Sequence, residues 1–267
     1  MPAFAEVPDS ATIVNYFDSP EAARRYAAHR PRGQARVLAM MTSVIDEALP
    51  VARALDVGCG TGHSTVALLP YATAIVGLDP SASMLAEAPQ HPQIEYRRGY
   101  AEALPFRGGD FDLVTASSAY HWFDHERFLG EVARVLRPSG WLVLYKAGST
   151  GTVADSPDFA TWRREVLHAR YPKVARNSEP LTAERAALHG FVECAHEVRS
   201  YSQSHALDQY IDNLLTHSSV LRAIDYRLEP VAAVRAWLQA ELRQFFPENV
   251  AEFELECRIH VLRRLVR

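Results

Sequence analysis

From Arg53 to Lys146 short apolar runs alternate with helical stretches, and that alternation leaves few folds open. Strands are expected at 53–57 (RALDV), 74–79 (AIVGLD), 94–98 (IEYRR), 111–116 (FDLVTA) and 141–146 (WLVLYK). Between them STVALL and ASMLAEA read as helices. HERFLGEVARVLR does too, with Phe128, Leu129, Val132, Val135 and Leu136 on one face. That helix should stop at Arg137-Pro138-Ser139-Gly140, a turn with Pro at its second position. Strands separated by helices need crossover connections, so a parallel sheet covered on both faces follows. Ligands of such sheets sit beyond the carboxyl ends of the strands.

The flanks read differently. Residues 1–48 suggest helices at 20–29 and 35–49 ahead of the first strand. Beyond Lys146 come helices broken by Pro157, Pro172 and Pro180, then an extended stretch at 191–202 and helices near 206–217 and 229–246. Pro230 opens the last of these, with a stripe of Val231, Val234, Leu238, Leu242 and Phe245. In FELECRIHVL (253–262) Phe253, Leu255, Cys257, Ile259 and Val261 alternate with Glu254, Glu256, Arg258 and His260, the mark of a half-buried strand. With 48% apolar and 22% charged residues in 267, a large core is within reach. One domain is expected: lid helices at 1–48, a binding core at 49–147, and a cap with late strands at 148–267.

The stretch Leu55-Asp56-Val57-Gly58-Cys59-Gly60-Thr61-Gly62 lies between the first strand and a helix. Glycines there let a ligand lie against the backbone without Cβ clashes. A dinucleotide fingerprint would place its third glycine at position 63, where this chain has His63. The spacing suits a ligand without a pyrophosphate, one that joins an amino acid to a nucleoside. Asp56 can accept from an ammonium group, and Asp79, ending the second strand, can take both ribose hydroxyls.

These residues resemble the class I S-adenosylmethionine-dependent methyltransferases. The resemblance rests on LDVGCGTG (55–62), LDPSASML (78–85), AEALPF (101–106), FDLVTASSAYHWFD (111–124) and FLGEVARVLRPSGWLVL (128–144). SAYHWFD, with YFDSPEAARRYAAHRP upstream, is similar to the small-molecule branch that includes trans-aconitate methyltransferase-like proteins. The resemblance implies a doubly wound, Rossmann-like α/β sheet of seven strands. Most would be parallel, with one late antiparallel strand, a helical amino-terminal lid and a helical insertion after the fifth strand. It implies S-adenosylmethionine as cofactor and S-adenosylhomocysteine as product. Asp56, Gly58, Gly60 and Gly62 would cradle the methionine part, Asp79 and Pro80 the ribose end, and Met84 the adenine or ribose face. Tyr100, Ala101 and Glu102 would meet the adenine edge, with Tyr100 standing where many relatives have Asp. Ser117 and Tyr120 would lie level with the sulfur, and Tyr16, Tyr26 and Arg30 would cover the carboxylate end.

Methyl transfer from a sulfonium is an in-line displacement, and a base is needed only if the acceptor loses a proton. His121 is the candidate base, against the plainer reading of a histidine that hydrogen-bonds a loop. His125 reads as an exposed first-turn residue, and His217 as the end of a helix that could face the acceptor. Trp122, Trp162, Tyr201 and His217 are the candidate acceptor contacts. Tyr171 and Tyr226 are further aromatic candidates, while Arg163, Arg164 and Arg222 could clamp an acid.

The formal charge of −4 gives no general attraction to phosphates, and only two of the 28 basic residues, Lys146 and Lys173, are lysines. Ser117-Ser118-Ala119-Tyr120 is no base-gripping segment, so no nucleic-acid partner is expected. Cys59, Cys194 and Cys257 form no zinc pattern, and no histidine-carboxylate cluster is visible near the fourth strand, so no metal is expected. No apolar run is long enough to suggest a membrane span, and a cytoplasmic monomer or homodimer is the default. The activity these readings favour is O-methylation of a small organic acid or secondary metabolite. The alternatives are a same-fold enzyme that retains its cofactor for a non-methyl reaction such as cyclisation, and a non-catalytic cofactor-binding protein.

Overall fold

The computed structural model describes residues 17–45, 48–148, 152–153, 156–226 and 228–266. Its core strands are β1 (Val51–Val57), β2 (Ala72–Asp79), β3 (Ile94–Arg98), β4 (Phe111–Ser117) and β5 (Leu136–Lys146). They pair in parallel in the order β3-β2-β1-β4-β5. β1 reads as a nearly continuous buried run from Ala54 to Val57, as a strand covered on both faces must. The order reverses between β1 and β4, and the crevice beyond that point is where the fold leaves room for a ligand.

The late segments complete the sheet with one reversed strand. β8 (Val250–Arg264) pairs antiparallel with β5, and β7 (Phe191–Ala206) pairs antiparallel with β8, so β7 runs with the core strands. A two-residue strand, β6 (Thr152–Val153), adds an eighth member against Phe253 and Glu254 of β8. The alternation expected in β8 is present, with Phe253, Leu255, Cys257, Ile259 and Val261 buried.

Helices α1 (Pro20–His29), α2 (Gln34–Leu38) and α3 (Thr42–Ile45) precede β1. The single helix expected at 35–49 is divided by a 3-10 turn at Ala39–Met41. Helices α4 (His63–Ala67), α5 (Ala82–Ala86) and α6 (His125–Val135) connect core strands. α6 is capped by Asp124, whose side chain accepts from Arg127 N at 3.1 Å, and it buries Phe128, Leu129, Val132 and Val135 against Leu55, Val57 and Val114. The opposite face takes Leu38, Met41 and Ile45 against Ala54, Leu113 and Ile259.

The cap has its own apolar cluster. α7 (Pro157–Trp162) runs through a π-helical turn into α8 (His168–Arg170), and α9 (Ala183–Leu188), α10 (Leu207–Leu214), α11 (Ser218–Asp225) and α12 (Val231–Leu242) follow. Phe159, Tyr210, Leu238 and Phe253 meet in that cluster, so the end of β8 serves cap and sheet together. α11 was not expected: Ser218-Ser219 reads as a stop, yet His217 is its N-cap and the helix buries Val220 and Leu221.

Candidate active site

The loop after β1 turns through left-handed backbone at Gly58 (φ 70°) and Gly60 (φ 54°), which side chains with a Cβ adopt at a cost. A Cβ on Gly58 would also lie 2.6 Å from that of Ala119. Gly58 N and Cys59 N both donate to Leu78 O, at 2.8 and 3.1 Å, so the loop is pinned to the end of β2. There the Asp79 carboxylate accepts from Gly60 N and Ser81 N, each at 2.9 Å. Burial nonetheless raises its pKa above the ordinary carboxylate range.

A cavity of about 820 Å³ opens over this loop at the carboxyl ends of β1, β2, β4 and β5. Gly58, Gly60, Asp79, Pro80 and Met84 line it on one side, together with Tyr100, Ala101 and Glu102. Tyr26 and Arg30 of the first helical segment close it above, and Ser117 lies at its base. Three carboxylates, Asp18, Asp79 and Glu102, line this region against one cation, Arg98, so it is net acidic. The volume lies within the ~300–1,000 Å³ of small-molecule sites. A bent glycine loop beside an anchored carboxylate fits a nucleoside that carries an amino acid, because backbone can approach the chain and Asp79 retains lone pairs for hydroxyl donors.

The other side of the cavity is basic. Arg30, Lys146 and Arg176 line it with His121 and His217. Arg30 Nη1 donates to Thr216 Oγ1 at 3.4 Å, Arg176 Nη2 donates to Ser218 Oγ at 2.7 Å, and the Arg176 guanidinium lies 4.7 Å from the Trp122 ring centre. Among the described residues no carboxylate forms an ion pair with Arg30, Lys146 or Arg176. Desolvation and then the neighbouring cations lower the pKa values of Lys146 and Arg176. Burial first, and Arg176, Lys146 and Arg30 next, push His121 down to about 3, so its imidazole is neutral at pH 7. His217 is likewise held well below the usual range, mainly by burial, and its Nε2 is buried without a partner.

Several expected residues lie elsewhere. Asp56 is fully buried and does not line the cavity: Ser64 Oγ, Thr65 Oγ1 and Thr115 Oγ1 donate to it at 2.6, 2.8 and 2.9 Å. Its carboxylate ties the loop to α4 and β4, and burial lifts its pKa to about 6. Gly62 is the left-handed N-cap of α4, packed toward Tyr96 and away from the cavity. Tyr120 turns aside after the left-handed Ser118 (φ 52°) and stacks on His125, ring centres 3.7 Å apart. His125 is therefore buried rather than exposed, with Nε2 3.0 Å from Tyr120 O. Trp162 belongs to the cap cluster, where its Nε1 donates to Glu241 at 3.0 Å. Tyr201 sits under the Arg36 guanidinium on β7. Tyr171 is core, Tyr226 is exposed, and Tyr16 lies outside the described residues.

His121, Trp122 and His217 do reach the cavity, His217 at the start of a helix and not at its end. Lys146, Arg176, Arg98, Thr216 and Ser218 were not singled out for it, although all of them line it. Lys146 had a signal: it is one of only two lysines in the chain, and it ends a buried strand. Arg176 had none, being one arginine among many in a Pro-bounded loop.

Residues 55–144 match the family described as a methyltransferase domain. The chain is 32% identical over 125 residues to a candidate methyltransferase of Dictyostelium discoideum, covering 47% of each chain. It is 41% identical over 101 residues to the trans-aconitate 2-methyltransferase of Deinococcus radiodurans, covering 36% of this chain and 38% of that one. The aligned regions thus span about half or less of these relatives. In overall fold the chain superposes on a candidate type II methyltransferase from Anaeromyxobacter dehalogenans with a TM-score of 0.66 and 24% identity, over 89% of this chain and 99% of that one.

Proposed function

We propose that this chain, whose residues 55–144 match a methyltransferase-domain family, is a class I S-adenosylmethionine-dependent methyltransferase that methylates a small organic acid or an acidic secondary metabolite. One observation carries the choice of acceptor: a single cavity joins an acidic side around the glycine loop to a side with three cations that no described carboxylate pairs. The acidic side suits the ribose hydroxyls and ammonium of S-adenosylmethionine, with Asp79 at the ribose and Met84 against the base. The basic side suits a carboxylate.

When bound, the cofactor supplies a methyl carbon activated by a sulfonium. The work left to the protein is alignment and exclusion of water. Arg30, Lys146 and Arg176 would anchor one acidic group of the acceptor so that another oxygen faces the methyl carbon. A carboxylate oxygen is already deprotonated at neutral pH and needs no base. A hydroxyl would pass its proton to His121, which is neutral and faces the cavity. An anion bound beside the three cations would offset their share of what depresses His121, the larger share being burial.

Single-turnover mass spectrometry with a panel of carboxylic acids, neutral alcohols and amines tests this reading. One methyl gained by an acid, with stoichiometric S-adenosylhomocysteine, supports it. Methylation of amines or neutral alcohols alone would overturn the choice of acceptor, and conversion with the cofactor unchanged would favour a non-methyl reaction. Asp79→Ala should weaken S-adenosylhomocysteine binding by about 1–3 kcal/mol in calorimetry. Arg176→Ala should leave that affinity unchanged and raise KM for the acid by about tenfold or more.

A further inference from the structure

Strands β7 and β8 bring together three side chains that the reaction above leaves unused, and none of them lines the cavity. The register sets His196 directly opposite His260. Their rings are nearly parallel, 17° apart in plane with centres 4.0 Å apart. Glu193 Oε1 lies 2.6 Å from His260 Nδ1. Residues 193 and 196 would face opposite sides of a regular strand. The pairing slips between Glu193 and Ala195, and this irregularity turns Glu193 to the side of the two histidines. One ligand atom from each of the three residues lies within 4.8 Å of the others.

We propose that Glu193, His196 and His260 form a site for a divalent transition-metal ion, zinc foremost, which clips β7 to β8. Two imidazole nitrogens and a carboxylate oxygen are a donor set for zinc, and also for nickel and copper. A tetrahedral ion with bonds of about 2.1 Å spaces its ligand atoms about 3.4 Å apart, so small side-chain rotations close the site. His196 is exposed while Glu193 and His260 are partly buried, which gives an ion access and leaves room for water as a further ligand. Among the described strands β7 pairs with β8 alone, so ligands drawn from both strands would resist peeling of this edge.

Titration of the chelator-treated full chain with zinc alone, by calorimetry and thermal denaturation, tests the site. One saturable equivalent and a raised Tm are expected. His196→Ala and Glu193→Ala should each weaken binding by about tenfold or more. His91→Ala, which removes a histidine outside both sites, should not. With copper, electron paramagnetic resonance should report two imidazole nitrogens in the parent chain and one in His196→Ala. Absence of saturable binding, equal loss in His91→Ala, or an unchanged copper spectrum in His196→Ala would each overturn the proposal.

Discussion

Asp56 and Asp79 end or nearly end adjacent strands, and both look in the sequence like ligand carboxylates. Neighbouring hydroxyls separate their roles. Asp79 is anchored by two backbone donors and keeps a face toward the cavity, whereas Asp56 spends its oxygens on Ser64, Thr65 and Thr115. Burial of Asp56 has a consequence for stability. Its folded pKa of about 6 lies above the ordinary aspartate value of 3.8, so the folded state holds the proton more tightly. That contribution is complete below about pH 3.8 and is lost as pH rises through about 6, worth roughly 3 kcal/mol at most. Asp56→Asn keeps an acceptor without the ionisation. Between pH 4 and pH 7 the wild type should therefore lose stability relative to Asp56→Asn in urea denaturation, and parallel curves would refute the argument. These partners of Asp56 are not legible along the chain, since Thr115 is 59 residues away and meets it through the pairing of β1 with β4.

Among the elements, those with a strong period were readable and those set by neighbours were not. β8 and α6 announce their buried faces residue by residue, because one side of each packs on a continuous apolar layer. α11 is short, begins with two serines and owes its place to cap packing, so the sequence reads through it. α5 shows how a small element holds part of the site. Its N-cap Ser81 accepts from Met84 N at 3.2 Å, and its hydroxyl is within reach of Phe17 O and Asp18 Oδ1, at 3.1 and 3.0 Å. Phe17 and Asp18 line the cavity, so the cap of α5 tethers the segment that closes over it. Ser81→Ala should cost about 1 kcal/mol in denaturation and speed proteolysis near residues 17–19. An unchanged cleavage rate would show that the tether is unimportant.

For the whole molecule β8 is the member that joins sheet and cap. It pairs with β5, β6 and β7, and its Phe253 is fully buried among Phe159, Tyr210 and Phe246. Phe253→Ala should destabilise the chain by about 3–5 kcal/mol, with sheet and cap melting in one transition. Retention of near-wild-type stability would mean that the cap cluster collapses onto the gap. The sequence by itself determined the doubly wound core, the glycine bend and the carboxylate at 79, because strand periodicity and backbone freedom are local properties. Only the tertiary structure decided that Lys146, Arg176 and His217 face the same cavity as that bend, and that Asp56 and Tyr120 do not. It also brought Glu193 and His196 to His260. Those outcomes depend on strand register and on a one-residue slip, which arise between segments far apart in the chain and leave no trace in the spacing of residues along it.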